Sequence, residues 1–425
     1  MYSMKKIISL YFILFISAFS FSGTVVVTNT NDSGAGSLRD AIAAASTGDT
    51  IRFSPSLITG GSDTIKLTSE IAYIKNLVFK GLYNHKDTLF ISGNHTNRIF
   101  HISYDISMSY DRVTVIDSMF FINGYDNISG GSILFAGDTL NISNSGFFKN
   151  KAGADGGALR VIGVALYSTK DYVVIRNTIF LENNVLRSGG GGGAISYSTN
   201  LGTVLIEDSK FIKNESFGTG GAILCFSNSN ITIEIKGSLL SENRSFYGGG
   251  AISISSSINA NLNITNSTID NNEVTNHDGG GIFLRVSGSV SSSSLGKIVI
   301  INSTIDNNIS QMNGGGVQCE SYVKGNKESI AEIYINSSTV SNNTASLEGG
   351  GINIKSGLSP VSSPNYQPKF NLHISSSTIF NNSSTGGNSY LWDFGDGTTS
   401  SQFAPTHLYT TAGNYTVVLT VFDST

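Results

Sequence analysis

The sequence predicts an all-β chain whose main part is a right-handed parallel β-helix solenoid with an N-terminal cap, and three observations predict it. One short unit recurs along most of the 425 residues. The runs between its copies alternate apolar and polar residues and are rich in β-branched side chains, the period-2 signature of strands. Charged residues make up only 13% of the chain while glycine takes 48 positions. Such a chain must stack its backbone closely and satisfy polar groups with Asn, Ser and Thr rather than with surface ion pairs.

The unit is a polar residue, Ser or Thr, an apolar position two residues later, Asn, and then a Gly-Gly step. It reads NSGFFKN to Asn150, NTIFLEN to Asn183, DSKFIKN to Asn214, GSLLSEN to Asn243, NSTIDNN to Asn272 and again to Asn308, and SSTVSNN to Asn343. A weaker first copy, DSMFFIN, ends at Asn123, and a ninth, SSTIFNN, ends at Asn382. Successive Asn anchors lie 27 to 39 residues apart, and the extra length falls mostly after the apolar strand, as in Ser287–Ser294 and Ser356–Pro368. A fixed core with one variable segment per unit is what a solenoid with loops on one face produces. Runs such as Ile231–Ile235 and Leu262–Ile264 give two or three short strands per unit; the 3.6-residue period of helical repeats is absent.

Aligned on Asn, the units stack Phe120, Phe147, Phe180, Phe211, Leu240, Ile269, Ile305, Val340 and Ile379 as an interior apolar column. The column Asn123, Asn150, Asn183, Asn214, Asn243, Asn272, Asn308 and Asn343 is expected at a turn, each amide bonding to the next coil. The Gly-Gly step marks a sharp bend with φ > 0 and a close approach of neighbouring backbones. All three columns, the Asn column included, are read as structural. At the N-terminal end, Ser37 to Asp40 opens a short helix through Ala45, and Gly48-Asp49 turns into a strand at Thr50–Phe53. That helix would lie over the open end of the first coil.

VTNTNDSGAGSLRDAIAAASTGDTIRF and the stretch from Thr64 to Ile102 resemble the N-terminal segment and first coils of secreted bacterial right-handed β-helix repeat proteins. The FxxN and GGA[IL] repeats resemble those of polymorphic outer-membrane proteins. The resemblance covers about residues 24–382 and implies the fold; this fold hosts adhesins and polysaccharide lyases or hydrolases alike. From Tyr390 the character changes. YLWDFGDGTTS, FAPTHLY and AGNYTVVLTVFD resemble a PKD domain, which implies a partial immunoglobulin-like β-sandwich at the C-terminus. The reading is thus a signal peptide at 1–22, a β-helix over 23–385 (cap and first coils 23–110, repeats 111–385) and a partial PKD domain over 386–425. Residues 370–388 fit either the ninth coil or the sandwich's second strand, which puts the boundary between about 365 and 388.

Lys5 and Lys6 followed by the apolar run Ile7–Phe19 read as a secretory leader, with no second run long enough to span a membrane. Localisation is therefore expected to be extracellular or at the cell surface. A net charge of −4 without a basic cluster beyond the leader argues against nucleic acid as a partner. Cys225 and Cys319 are expected to share a column three coils, roughly 14 Å, apart, too far for a disulfide; two reduced, inward-facing thiols follow.

The candidates for chemistry are few. Asp270 and Asp306 share a column in adjacent units, so their separation of roughly 5 Å would suit shared-proton or metal chemistry, although a duplicated repeat explains the pair more simply. Lys149, Glu182, Lys213 and Glu242 form the next column and read as a solvated face. Asp155 and Asp278 precede Gly steps and are expected to lack partners in their column. Asp393 and Asp396 could ligate Ca²⁺ but suit turn formation better, and Trp392 fits a sandwich core better than a sugar platform. No cofactor or metal is assigned. The expectation is a monomeric, non-enzymatic, adhesin-like protein that binds extracellular polysaccharide or surface protein through its loops, against a secreted polysaccharide lyase or hydrolase.

Overall fold

The computed structural model describes residues 23–83, 86–103, 112–163, 171–287, 293–323, 328–358, 369–385, 389–402, 405–411, 413 and 415–422. The leader reading lies outside these residues, as do 288–292 and 359–368 within the two long insertions.

Among the described residues, strands stack coil on coil into three parallel sheets of 20, 11 and 9 strands, with a separate three-stranded antiparallel sheet near the C-terminus. A representative coil runs Ile252–Ser256, Asn259–Thr265, Thr268–Asp270 and Glu273–Val274. Where all segments are present a coil therefore carries four strand segments rather than two or three, because the chain both leaves and re-enters the longest sheet within one turn; the first two coils lack the fourth segment. In two coils the first two segments fuse, giving Ile195–Glu207 and Ile223–Lys236. The variable insertions fall between those first two segments. The in-and-out alternation keeps register from coil to coil, as in Ile233, Leu262, Ile298 and Ile333, all buried.

The Gly steps have two physical causes. The first glycine of each step has φ between 61° and 75° from Gly130 to Gly349, a region costly for other residues. The second has no room: a Cβ on Gly221 would sit 2.0 Å from the Gly250 carbonyl oxygen.

The interior column is displaced by one residue at its start. Phe147 pairs with Phe121, and Phe120 pairs with Gly146, so Phe121 and not Phe120 heads the stack. Phe121, Phe147, Phe180 and Phe211 are fully buried, with ring centroids 5.0, 4.7 and 4.7 Å apart. The backbone gives the reason. Left-handed conformations recur at the first and sixth positions of the unit, as at Asn144 and Lys149, and in the first copy they fall at Ser118 and Asn123. That copy thus begins at Ser118, and the Asn alignment slipped because Asn123 occupies the sixth position. Phe120 instead packs outside, near Tyr83, Phe90 and Phe148.

The cap is a seven-residue helix, Leu38–Ala44, whose N-cap Ser37 accepts a bond from the Asp40 amide. Leu38, Ala41 and Ile42 are buried. Lys75 Nζ donates to the carbonyls of Ile42, Ala43 and Ala45 at 3.0, 2.8 and 2.6 Å, placing a cation at the negative end of the helix. Strand Thr24–Val27 runs parallel to Thr50–Phe53 beneath it. At the other end, Lys369–Ser375, Thr378–Phe380 and Ser383–Ser384 continue the three parallel sheets as a ninth coil, and its Phe370, Leu372 and Ile374 are exposed.

Burial opposes the charged forms of Asp117 and Asp278, but hydrogen bonds outweigh it. Asn144, Ser143 and Lys80 serve Asp117, and His277 and Asn313 serve Asp278, so both carboxyls lie below their usual range. A lowered folded-state pKa gives stability that is present above the unfolded value and lost as pH falls through the folded one. The urea midpoint should hold between pH 7 and about 5 and fall below about pH 4. A midpoint that rises on acidification would contradict this assignment.

Candidate functional site

The Asn column forms a continuous amide ladder from Asn150 to Asn382, fully buried as far as Asn343. Asn214 is typical: its backbone N–H and Nδ2 both donate to Asn243 Oδ1 at 3.0 Å, and Nδ2 also donates to the Phe180 carbonyl at 3.0 Å. The same pattern holds at Asn150, Asn183, Asn243, Asn272, Asn308 and Asn343. Asn123 is not a rung. Gly124 occupies that position and donates its N–H to Asn150 Oδ1 at 2.8 Å, while Asn123 has φ 52° at the preceding turn. A second ladder, unexpected from sequence, uses the Ser/Thr of the unit. Ser209 Oγ accepts from the Thr178 amide at 3.2 Å and donates to the Glu207 carbonyl at 2.7 Å, and Ser238, Ser267 and Ser303 repeat this.

Asp270 and Asp306 are direct register partners. Asp270 Oδ2 accepts from Asn271 at 2.7 Å, and Asp306 Oδ2 accepts from Asn307 at 2.6 Å. Asp306 Oδ1 is held by Ser341 Oγ at 2.5 Å and Asn342 Nδ2 at 2.8 Å, so that carboxylate is spent on the next coil. In the neighbouring column, Lys149 meets Glu182 at 3.6 Å and Lys213 meets Glu242 at 3.5 Å, exposed pairs of small energetic weight. Cys225, Ile254, Leu284 and Cys319 form one interior column. Both cysteines are free and buried, and burial pushes their thiols up to about 12, far from a reactive thiolate.

Asp155 and Asp278 do share a column, against expectation. Isolated bridges link Asp155, Gly191, Thr219, Gly248 and Asp278 in succession. Sequence alignment missed this because the corner between the Asn and the Gly step varies in length. The two carboxylates are four coils apart, and each is tied locally: Asp155 Oδ1 accepts from the Gly191 amide at 3.2 Å, and Asp278 Oδ1 accepts from Asn313 at 2.8 Å.

That corner forms one wall of a groove of about 940 Å³ on the outer face of the longest sheet. Its floor consists of two neighbouring columns. Arg160, Ser196, Leu224, Ser253 and Phe283 make one, and Ile162, Ser198, Phe226, Ser255 and Arg285 the other. Tyr247 and Thr219 line it from the corner, and Thr199, Asn200 and Asn228, in the middle of the two fused strands, from the opposite side. Phe226 and Tyr247 are 42% and 38% exposed, which leaves ring surface open to a ligand. Asp155 is the single carboxylate lining the groove among the described residues. Arg160 donates to Ser196 Oγ at 2.7 Å and Ser198 Oγ at 2.8 Å, and Arg285 is paired with Glu320 at 2.8 Å. Sequence patterning could not find the groove, because an outward Ser-rich face reads the same whether flat or concave.

At the C-terminus, Ser389–Asp393 is flanked by Thr399–Ser400 and Val418–Phe422, both antiparallel to it. Trp392 is half-buried, stacked on Phe394 with centroids 6.4 Å apart, and its Nε1 donates to the Gln402 carbonyl at 3.1 Å. Tyr409 Oη donates to the Phe394 carbonyl at 2.9 Å, pinning the turn that follows the Trp strand. Residues 368–425 match the PKD domain. Pre-pro-metalloprotease PrtV of Vibrio cholerae serotype O1 is 45% identical over 73 residues, 16% of this chain and 8% of its own length. Collagenase ColA of Bacillus cereus is 67% identical over 36 residues, 8% of this chain and 4% of that protein. The microbial collagenase of Vibrio alginolyticus is 61% identical over a segment of the same size, 8% of this chain and 4% of that protein. This chain therefore spans less than a tenth of the relatives it matches, and the likeness is confined to domain-sized segments. No solved structure matches the chain.

In the PKD segment the aspartates close turns. Asp393 Oδ1 accepts from the Gly395 amide at 2.9 Å, and Asp396 Oδ1 accepts from the Thr398 amide at 3.0 Å and its hydroxyl at 2.6 Å. Asp396 Oδ2 lies 2.7 Å from His407 Nε2. The Thr398 hydroxyl, then its amide and His407, hold the Asp396 carboxyl below its usual range. Among the described residues no group of three or more His, Cys, Asp or Glu is arranged to hold a metal ion. Nor is any helix among them long and apolar enough to cross a membrane.

Proposed function

We propose that this chain is a non-enzymatic extracellular contact protein, in which the β-helix presents a binding face to polysaccharide or surface protein and the PKD segment adds a second contact module. The observation that carries the reading is the makeup of the groove: hydroxyls, amides and open rings over five coils, with one carboxylate and two arginines, Arg160 engaged by Ser196 and Ser198 and Arg285 by Glu320. Glycoside hydrolysis takes two carboxylates flanking one bond, and a lyase needs a base beside charge-neutralising groups. The extracellular placement rests on the leader pattern at Lys5–Phe19 and on the PKD likeness to a pre-pro-protease and to collagenases. Asp270 and Asp306 favour the rival reading of a secreted polysaccharide lyase or hydrolase, since they are neighbours in register; Asp306's engagement by Ser341 and Asn342 weighs against it.

The test uses purified residues 23–425 with plant, algal and host polysaccharides and with cell surfaces. Retention of protein without reducing-end release or unsaturated product, with or without Ca²⁺, is the expected result. Product formation that disappears in an Asp270→Asn/Asp306→Asn double variant would replace the contact reading with an enzymatic one.

A further inference from the structure

We infer that the groove between the corner column and the edge formed by Thr199, Asn200 and Asn228 binds an extended neutral glycan chain lying along the solenoid axis, with Phe226 and Tyr247 as the stacking platforms. This rests on the reading of the chain as a contact protein and names the ligand of its groove.

Three features point to that chemistry. The first is spacing. The floor repeats once per coil, about 4.8 Å, and from Arg160 to Phe283 it spans four steps, on the order of 19 Å. An extended, equatorially linked pyranose chain advances by nearly the same distance per sugar, so successive rings meet successive coils. An extended peptide advances only about 3.3 Å per residue, so it misses alternate coils and regains register only at every second one.

The second is the alternation of hydroxyls and rings. Phe226 lies between Ser198 and Ser255 in its column, and it is exposed. A pyranose presents C–H groups on its face and hydroxyls around its rim. An aromatic floor residue with serines one coil to either side matches both: Ser198 Oγ accepts from Arg160 but still has its own proton to donate to a sugar hydroxyl, which an apolar peptide would leave unused.

The third is charge. Glu320, 2% exposed, neutralises Arg285. Arg160 sits beside Asp155, whose charge acts on it, and its guanidinium is already committed to two serine hydroxyls. The groove therefore offers no unopposed cation to a uronate or sulfate chain, and a neutral polymer fits it better.

The experiment is isothermal titration of residues 23–425 with cellohexaose and mannohexaose, with hexagalacturonate as the charged control and laminarihexaose as the curved one. Saturable binding of at least one extended neutral hexasaccharide is expected, weaker by about tenfold in Phe226→Ala and in Tyr247→Ala. Phe226→Tyr should restore most of the affinity, which separates ring loss from misfolding; far-UV circular dichroism checks each variant. Equal binding of the charged or curved hexasaccharide would overturn the inference. So would an affinity unchanged in both alanine variants, or no binding of any hexasaccharide. In those cases retention of the intact chain on polysaccharide or cells would leave the contact reading standing, and its loss would remove both.

Discussion

Asn243→Leu should destabilise the solenoid by about 3–5 kcal/mol, the sum expected when several buried donors and acceptors lose partners at once. Asn243 Oδ1 accepts from both the backbone N–H and Nδ2 of Asn214, and its own Nδ2 serves the Phe211 carbonyl and Asn272 Oδ1. Leucine is close in size but meets none of these four groups, and water cannot reach them: Asn243 and both neighbouring rungs are fully buried. In a solenoid each coil touches only its neighbours, so the loss should also divide the array. Hydrogen exchange should accelerate first in the coils on either side of residue 243, well before the cap. Asn123→Gly is the matched control. Asn123 has φ 52°, which glycine adopts freely, and it lies outside the ladder, so the unfolding free energy should change by less than about 0.5 kcal/mol. A cost at Asn123 equal to that at Asn243 would contradict the register.

That pair of substitutions also marks where sequence reading worked and where it did not. The ladder from Asn150 onward, the Gly steps, the cap helix and the cysteine column were legible because each is fixed by a strong local requirement repeated many times. The first copy was misaligned by one residue because Asn serves two positions in this unit. It is a rung of the ladder at the seventh, and it tolerates left-handed backbone at the sixth, as at Asn271, Asn307 and Asn342. Where Lys149, Glu182, Lys213 and Glu242 take the sixth position, their charge hides the backbone demand and the column reads as an ordinary solvated face. The groove was illegible for another reason: it depends on how a corner of variable length folds over the sheet, as the shared column of Asp155 and Asp278 shows. Residues 369–385 remain legible in two ways. They pair in parallel with the eighth coil, yet the PKD likeness begins at 368, since an alternating strand followed by Ser and Asn suits either fold.

Phe180→Ala should cost about 3–5 kcal/mol, the range for emptying an aromatic site in a core that cannot collapse. The reason lies in the axial spacing. Phe147, Phe180 and Phe211 stack nearly parallel, with interplanar angles of 3° and 5°. Their separation is set by the backbone ladder rather than by the rings themselves. Removing the middle ring leaves a slot that its neighbours cannot enter, because each is anchored to its own coil through the hydrogen bonds of its strand. Phe180→Leu should be far milder, about 1–1.5 kcal/mol, because the column itself passes from Phe211 to Leu240 and Ile269 without losing register. Thermal and urea unfolding followed by far-UV circular dichroism would measure both. Equal costs for alanine and leucine would mean that ring stacking, not filled volume, holds the column. Equal and small costs would mean that the coils can close over the gap, and the solenoid would then be softer along its axis than its ladders imply.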